Sequence, residues 1–105
     1  MTKITELYRN KTLVGFCVEG HANYSIPGRD IVCSAISTLT INLINSIGEL
    51  TNVELEVTEC KDDMKCIVIG SPNIIAFTLL KATQIGYKSI AEEYPDNVTV
   101  VRDVR

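Results

Sequence analysis

The stretch TKITELYRNKTLVGFCVE, residues 2–19, decides how the chain has to be read. Its two halves, 2–8 and 12–19, alternate apolar and polar side chains, which is the period of a strand with one covered face. Arg9, Asn10 and Lys11 form a short polar turn between them, so the segment is expected to be a β-hairpin. Working outward, VELEVTEC at 53–60 and KCIVIG at 65–70 repeat the pattern, joined by the polar residues 61–64. A second hairpin is predicted there.

Two helices fit the remaining segments. From 30 to 50 the apolar residues Val32, Ala35, Ile36, Leu39, Leu43, Ile47 and Leu50 recur every three or four positions, with Asp30 as the N-cap. From Asn73 to Tyr94 a similar stripe runs through Ala76, Leu79, Leu80, Thr83, Tyr87, Ile90 and Ala91. Asn73 is the expected cap, Pro95 the stop, and Gly86 a local weakness of about 1 kcal/mol relative to alanine. Residues 97–104 read as a last strand. The order ββαββαβ predicts an α+β fold, one domain over residues 1–105, with a mainly antiparallel sheet and both helices on one face. The sheet's other face, or an edge, is left for a second copy, and a homodimer is expected.

Composition narrows the function. The 105 residues are 46% apolar and 22% charged, with a formal net charge of −3 and no Lys/Arg cluster. That balance belongs to a soluble globular domain and argues against binding a phosphate backbone, so no direct nucleic-acid partner is expected. The first residues lack the pattern of a signal peptide and no apolar run is expected to span a bilayer; the chain is placed in the cytoplasm. Cys17, Cys33, Cys60 and Cys66 are expected as reduced thiols. One histidine and two cysteines separated by five residues do not make a zinc set, and neither metal nor cofactor is expected.

The chemistry gathers in GHANYSIPGRDIVCSAIS, residues 20–37. With Asp30 as cap, Cys33 falls in the first helical turn, where unpaired N–H groups and the positive end of the helix dipole favour a thiolate and could hold an oxyanion. Ser37 lies one turn further on the same face. The loop after Gly20 is long enough to return His21 to the helix start, giving a base-activated nucleophile. Residues 22–29 read as a polar loop suited to act as a lid. The plainer readings stand beside this one: a packed cysteine, a surface histidine, a cap at Asp30 and a small interface residue at Ser37.

GHA at 20–22, Gly28, DIVC at 30–33 and Ser37 together resemble the ribosomal-processing cysteine protease family, Prp. The resemblance implies a dimeric cytoplasmic α+β cysteine protease in which His21 and Cys33 form the dyad. It implies supporting or substrate-binding roles for Gly20, Gly28, Asp30 and Ser37. It also implies a substrate, the N-terminal extension of large-subunit ribosomal protein number twenty-seven, which ends in an aromatic stretch. Ser34 stands where members commonly carry alanine, and Pro27 stiffens a loop that is often charged. Two other classes compete: a peptide-binding ribosome-assembly factor without catalysis, and a thiol redox protein pairing Cys33 with Cys17.

Overall fold

The computed structural model describes residues 1–20, 31–61 and 63–104. The elements are β1 (Thr2–Arg9), β2 (Thr12–Glu19), α1 (Ile31–Leu50), β3 (Leu55–Cys60), β4 (Asp63–Val68), α2 (Ile74–Glu93) and β5 (Val98–Val104), in the expected order. One five-stranded sheet runs β3-β4-β2-β1-β5. Three of its four pairings are antiparallel, and β5 lies parallel to β1.

The first hairpin closes on Asn10 and Lys11, with φ of 52° and 67°. Positive φ at both central residues is the type I′ geometry, whose twist matches that of the strands it joins. Arg9, expected in the turn, belongs to β1 instead, and its guanidinium donates to the carbonyls of Gly70 at 2.6 Å and Val68 at 3.1 Å. The second hairpin is shorter at its open end, and tighter at its turn, than the alternation suggests. Cys60 pairs with Asp63 across residues 61–62, so the polar 63–64 pair, expected in the turn, starts β4. Beyond Val68, Ile69 still donates to the Glu54 carbonyl at 2.9 Å before Gly70, at φ 82°, turns the chain away.

Asn73 caps α2 as predicted, its side chain accepting from the Ala76 N–H at 2.8 Å, and Tyr94 closes it by donating to the Ile90 carbonyl at 2.9 Å. Both helices cover one sheet face. Glu6 and Phe16 are register partners on that face; Gln84 of α2 binds the first and Tyr87 packs edge-on against the second, with ring centroids 4.9 Å apart. Tyr87 in turn meets Thr40 of α1 at 2.6 Å. Val32, Ile36, Leu43 and Ile47 bury the α1 stripe. Leu50, expected to extend it, is 60% exposed, because Thr51 bonds back to the Ile47 carbonyl and Val53 and Leu55 take over the packing. Against the sequence expectation, α1 is long and apolar enough by length and composition to cross a bilayer; the fold uses its apolar stripe as the core helix.

Two features escape apolar patterning. Glu6 is 1% exposed and accepts from Gln84 at 3.0 Å and from the Tyr8 hydroxyl at 3.2 Å, with Arg102 of β5 at 3.5 Å. A carboxylate so placed is tolerable because its oxygens are partnered. Gly86 is more than a weak helix former: a Cβ there would fall 2.8 Å from Leu39 Cδ1, so its absence lets α1 and α2 approach.

Gly15 sits where β1 and β2 shift register, and a Cβ on it would lie 2.1 Å from the Cys66 backbone carbonyl oxygen. No side-chain rotation relieves a clash with main chain, so Gly15→Ala is expected to cost at least about 2–3 kcal/mol in urea unfolding. Wild-type stability in that variant would show that β4 can move away. Burial pushes the Cys66 thiol from 9.0 up to about 11. The unfolded chain therefore releases this proton first, and stability held below pH 9.0 falls as pH rises toward 11, by about 1.4 kcal/mol per unit. Cys66→Ala is expected to flatten that slope; an unchanged slope would assign it to other groups.

Candidate active site

The site forms where β2 ends beside the start of α1. Val32 is fully buried and fixes the first turn of α1 against the sheet, leaving Cys33, the next residue round the helix, half-buried. Cys33, Ser37 and Thr40 lie at spacings of four and three, so they share one helix face. All three line a cavity of about 240 Å³. Thr40 is already engaged, through its hydroxyl contacts with the Ile36 carbonyl and Tyr87, both within 2.8 Å. Cys33 and Ser37 are the polar groups that α1 offers at the mouth.

The other walls come from the sheet. Val18 and Gly20 line the cavity from β2 and its end, and Thr2 from β1. Glu59, Lys61, Asp63 and Met64 line it from the second hairpin. Ile36, Ile41, Val18 and Met64 make the lining largely apolar, and the three charged residues stand at the exposed rim. Such a cleft, apolar with a few placed polar groups, suits a side chain of a bound ligand, with the Cys33 thiol beside it.

The four cysteines are not equivalent. Cys66 is buried in the core, its thiol pushed up to about 11 by burial. Cys17 is held protonated above its ordinary value by burial first and then by Glu19, whose carboxylate lies 3.8 Å from the sulfur. Cys60 is exposed at the hairpin end. Cys33 is the one of the four that lines the cavity.

Of the residues singled out in sequence, the structure brings Gly20, Cys33 and Ser37 to one cavity. His21, Gly28 and Asp30, with the expected lid at 22–29, lie outside the described residues. Sequence reading passed over Thr2, Asp63 and Met64, because a polar turn and the first residue of a strand carry no chemical signature of their own. Among the described residues no group of three His, Cys, Asp or Glu side chains is placed to hold a metal ion.

Comparison with known proteins gives a consistent result. The chain is 22% identical over 102 residues to the ribosomal processing cysteine protease Prp of Bacillus subtilis, with 90% of each chain covered. In fold it is similar to the essential ribosomal processing protease Prp of S. aureus, solved with a covalently linked product peptide, at a TM-score of 0.92 and 21% identity over 98% of this chain and 100% of that one. It also matches SMU.848 from Streptococcus mutans, at a TM-score of 0.78 and 29% identity over 100% of this chain and 96% of the other. Residues 1–99 match the sequence model of the family described as Cysteine protease Prp, so the chain belongs to that family and is a cysteine protease.

Proposed function

We propose that Cys33 is the nucleophile and His21 its base in the removal of an N-terminal extension from large-subunit ribosomal protein number twenty-seven. The observation that carries this reading is the position of Cys33, on the wall of an apolar cavity in the first turn of α1. His21 takes the thiol proton and the sulfur attacks the scissile carbonyl carbon; the carbonyl oxygen gains the negative charge, and helix-start N–H groups stabilise it. Collapse breaks the C–N bond, His21 hands its proton to the leaving amine, and a thioester remains. Water, deprotonated by His21, then attacks that thioester, releasing the carboxylate product and restoring the thiol.

The cavity supports an aromatic preference at the cut. Val18, Ile36, Ile41 and Met64 give a peptide side chain an apolar seat, and the S. aureus relative was solved with a substrate peptide. Supporting or substrate-binding roles fall to Gly20, Gly28, Asp30 and Ser37, with Ser37 orienting the thiol or the substrate carbonyl. The enzyme works in the cytoplasm as a homodimer. The redox reading fits less well. Cys17 shares a register position with Thr5 and Lys65, on the sheet face away from the helices, whereas Cys33 is on a helix.

In brief alkylation at neutral pH, Cys33 is expected to label faster than the exposed Cys60, which serves as the internal reference, and His21→Ala is expected to remove that advantage. Cys33→Ala and His21→Ala are each expected to lower turnover by about a thousandfold or more with an unchanged circular dichroism spectrum. Near-normal cleavage by either folded variant would remove that residue from the dyad. A peptide spanning the extension is expected to be cut once, and replacing its aromatic residues by alanine to lower kcat/KM by about 10–100-fold. Equal cleavage of the two peptides would mean that the apolar cavity does not select the substrate.

A further inference from the structure

The end of β2 is held from two sides. The Gly20 N–H donates to Asp63 Oδ1 at 3.0 Å, and the Gly20 carbonyl accepts from Thr2 Oγ1 at 3.4 Å. Gly20 itself is at φ 79°, and a Cβ there would lie 2.9 Å from the Met1 carbonyl oxygen, so the turn is committed to glycine. Backbone pairing between β2 and β4 runs from Gly15 with Ile67 to Val18 with Met64. At Gly20 that ladder has ended, and the Asp63 carboxylate supplies an acceptor where main chain no longer does.

Stability does not account for this arrangement. Gly20 and Asp63 are both exposed, and a hydrogen bond open to water adds little to folding. What the two bonds do fix is direction. The Gly20 N–H belongs to the planar peptide unit before its Cα and the Gly20 carbonyl to the unit after it, so holding both fixes the two planes that meet at Gly20 and with them the course on which the chain leaves β2, and the next residue is His21. Thr2, Gly20 and Asp63 also line the same cavity as Cys33, so the clasp stands at the site itself.

We propose that Asp63 is a positioning residue for the proteolytic reaction: its carboxylate, with the Thr2 hydroxyl as a second and longer contact, fixes the end of β2 so that His21 is presented to Cys33. This rests on the reading of His21 as the base. The bond needs an acceptor at Asp63 and does not need a charge, which separates positioning from direct participation. A displacement of about 1 Å between reacting groups can cost about a hundredfold in rate.

Steady-state cleavage of the extension peptide, with circular dichroism and the Cys33 alkylation rate, tests the clasp. Asp63→Ala is expected to lower kcat by about 10–100-fold with KM changed by less than about threefold, and to slow Cys33 alkylation in parallel. Asp63→Asn retains an acceptor oxygen and is expected to recover most of the lost kcat, and Thr2→Val to lower kcat several-fold. Wild-type kcat in Asp63→Ala, beside an inactive His21→Ala, overturns the clasp and leaves the dyad standing. An Asn variant as inactive as the Ala variant also overturns it, because charge and not an acceptor is then required. If Asp63→Ala does not fold, Thr2→Val decides, and an unchanged kcat there counts against the proposal. Normal turnover in His21→Ala defeats the dyad, and the clasp with it.

Discussion

The contact on which the rest of the structure depends is the one Tyr87 makes. Its ring packs edge-on against Phe16 of the sheet, and its hydroxyl meets the Thr40 hydroxyl of α1 at 2.6 Å, so one fully buried side chain touches β2 and α1 from α2. Burial of this ring contributes both area and a specific geometry. The hydroxyl, held protonated by burial, has its partner in Thr40, so it is not left unsatisfied in the core. Thr40 sits seven residues after Cys33, two turns along the same face. Rotating or sliding α1 would therefore break the Thr40 contact before it could move the thiol out of its cavity.

The sheet meets a matching constraint from the other side. β5 returns parallel to β1, so the middle of β1 is covered on one edge by β2 and on the other by β5. Glu6 at that middle position is tied to α2 through Gln84 and to β5 through Arg102. Arg102 also lies over the Tyr8 ring, 5.2 Å from its centroid. The cluster joins three elements through residues that are not among those lining the cavity of Cys33.

Much of this was legible from residue order. Periods of two and of three to four located all seven elements, and the residues that bound α2 do so for local reasons: Asn73 accepts from the N–H of Ala76, the third residue of α2, and Pro95 follows the cap at Tyr94. What stayed hidden depends on tertiary partners. Glu6 and Gln84 read as surface residues until they are placed opposite each other. Leu50 reads as core until Thr51 turns the chain back. Asp63 reads as turn because its use at the cavity depends on Gly20, forty-three positions away. At the site, Cys33 and Ser37 could be paired from helical spacing alone, whereas the hairpin wall that faces them could not.

The four cysteines share one small chain, and the fold sets them in different surroundings. Cys66 is sealed between Phe16 and Val57 in the sheet register, and its proton is held up to about 11. Cys17 points to the face away from the helices, where Glu19 adds to the effect of burial in keeping the sulfur neutral. Desolvation and a neighbouring carboxylate both oppose thiolate formation, and the thiolate is the nucleophile. Neither kind of environment would serve a catalytic sulfur. Cys33 is half-buried in the first turn of α1 and lines the cavity. The different surroundings of four identical side chains thus follow from where each lies in its strand or helix.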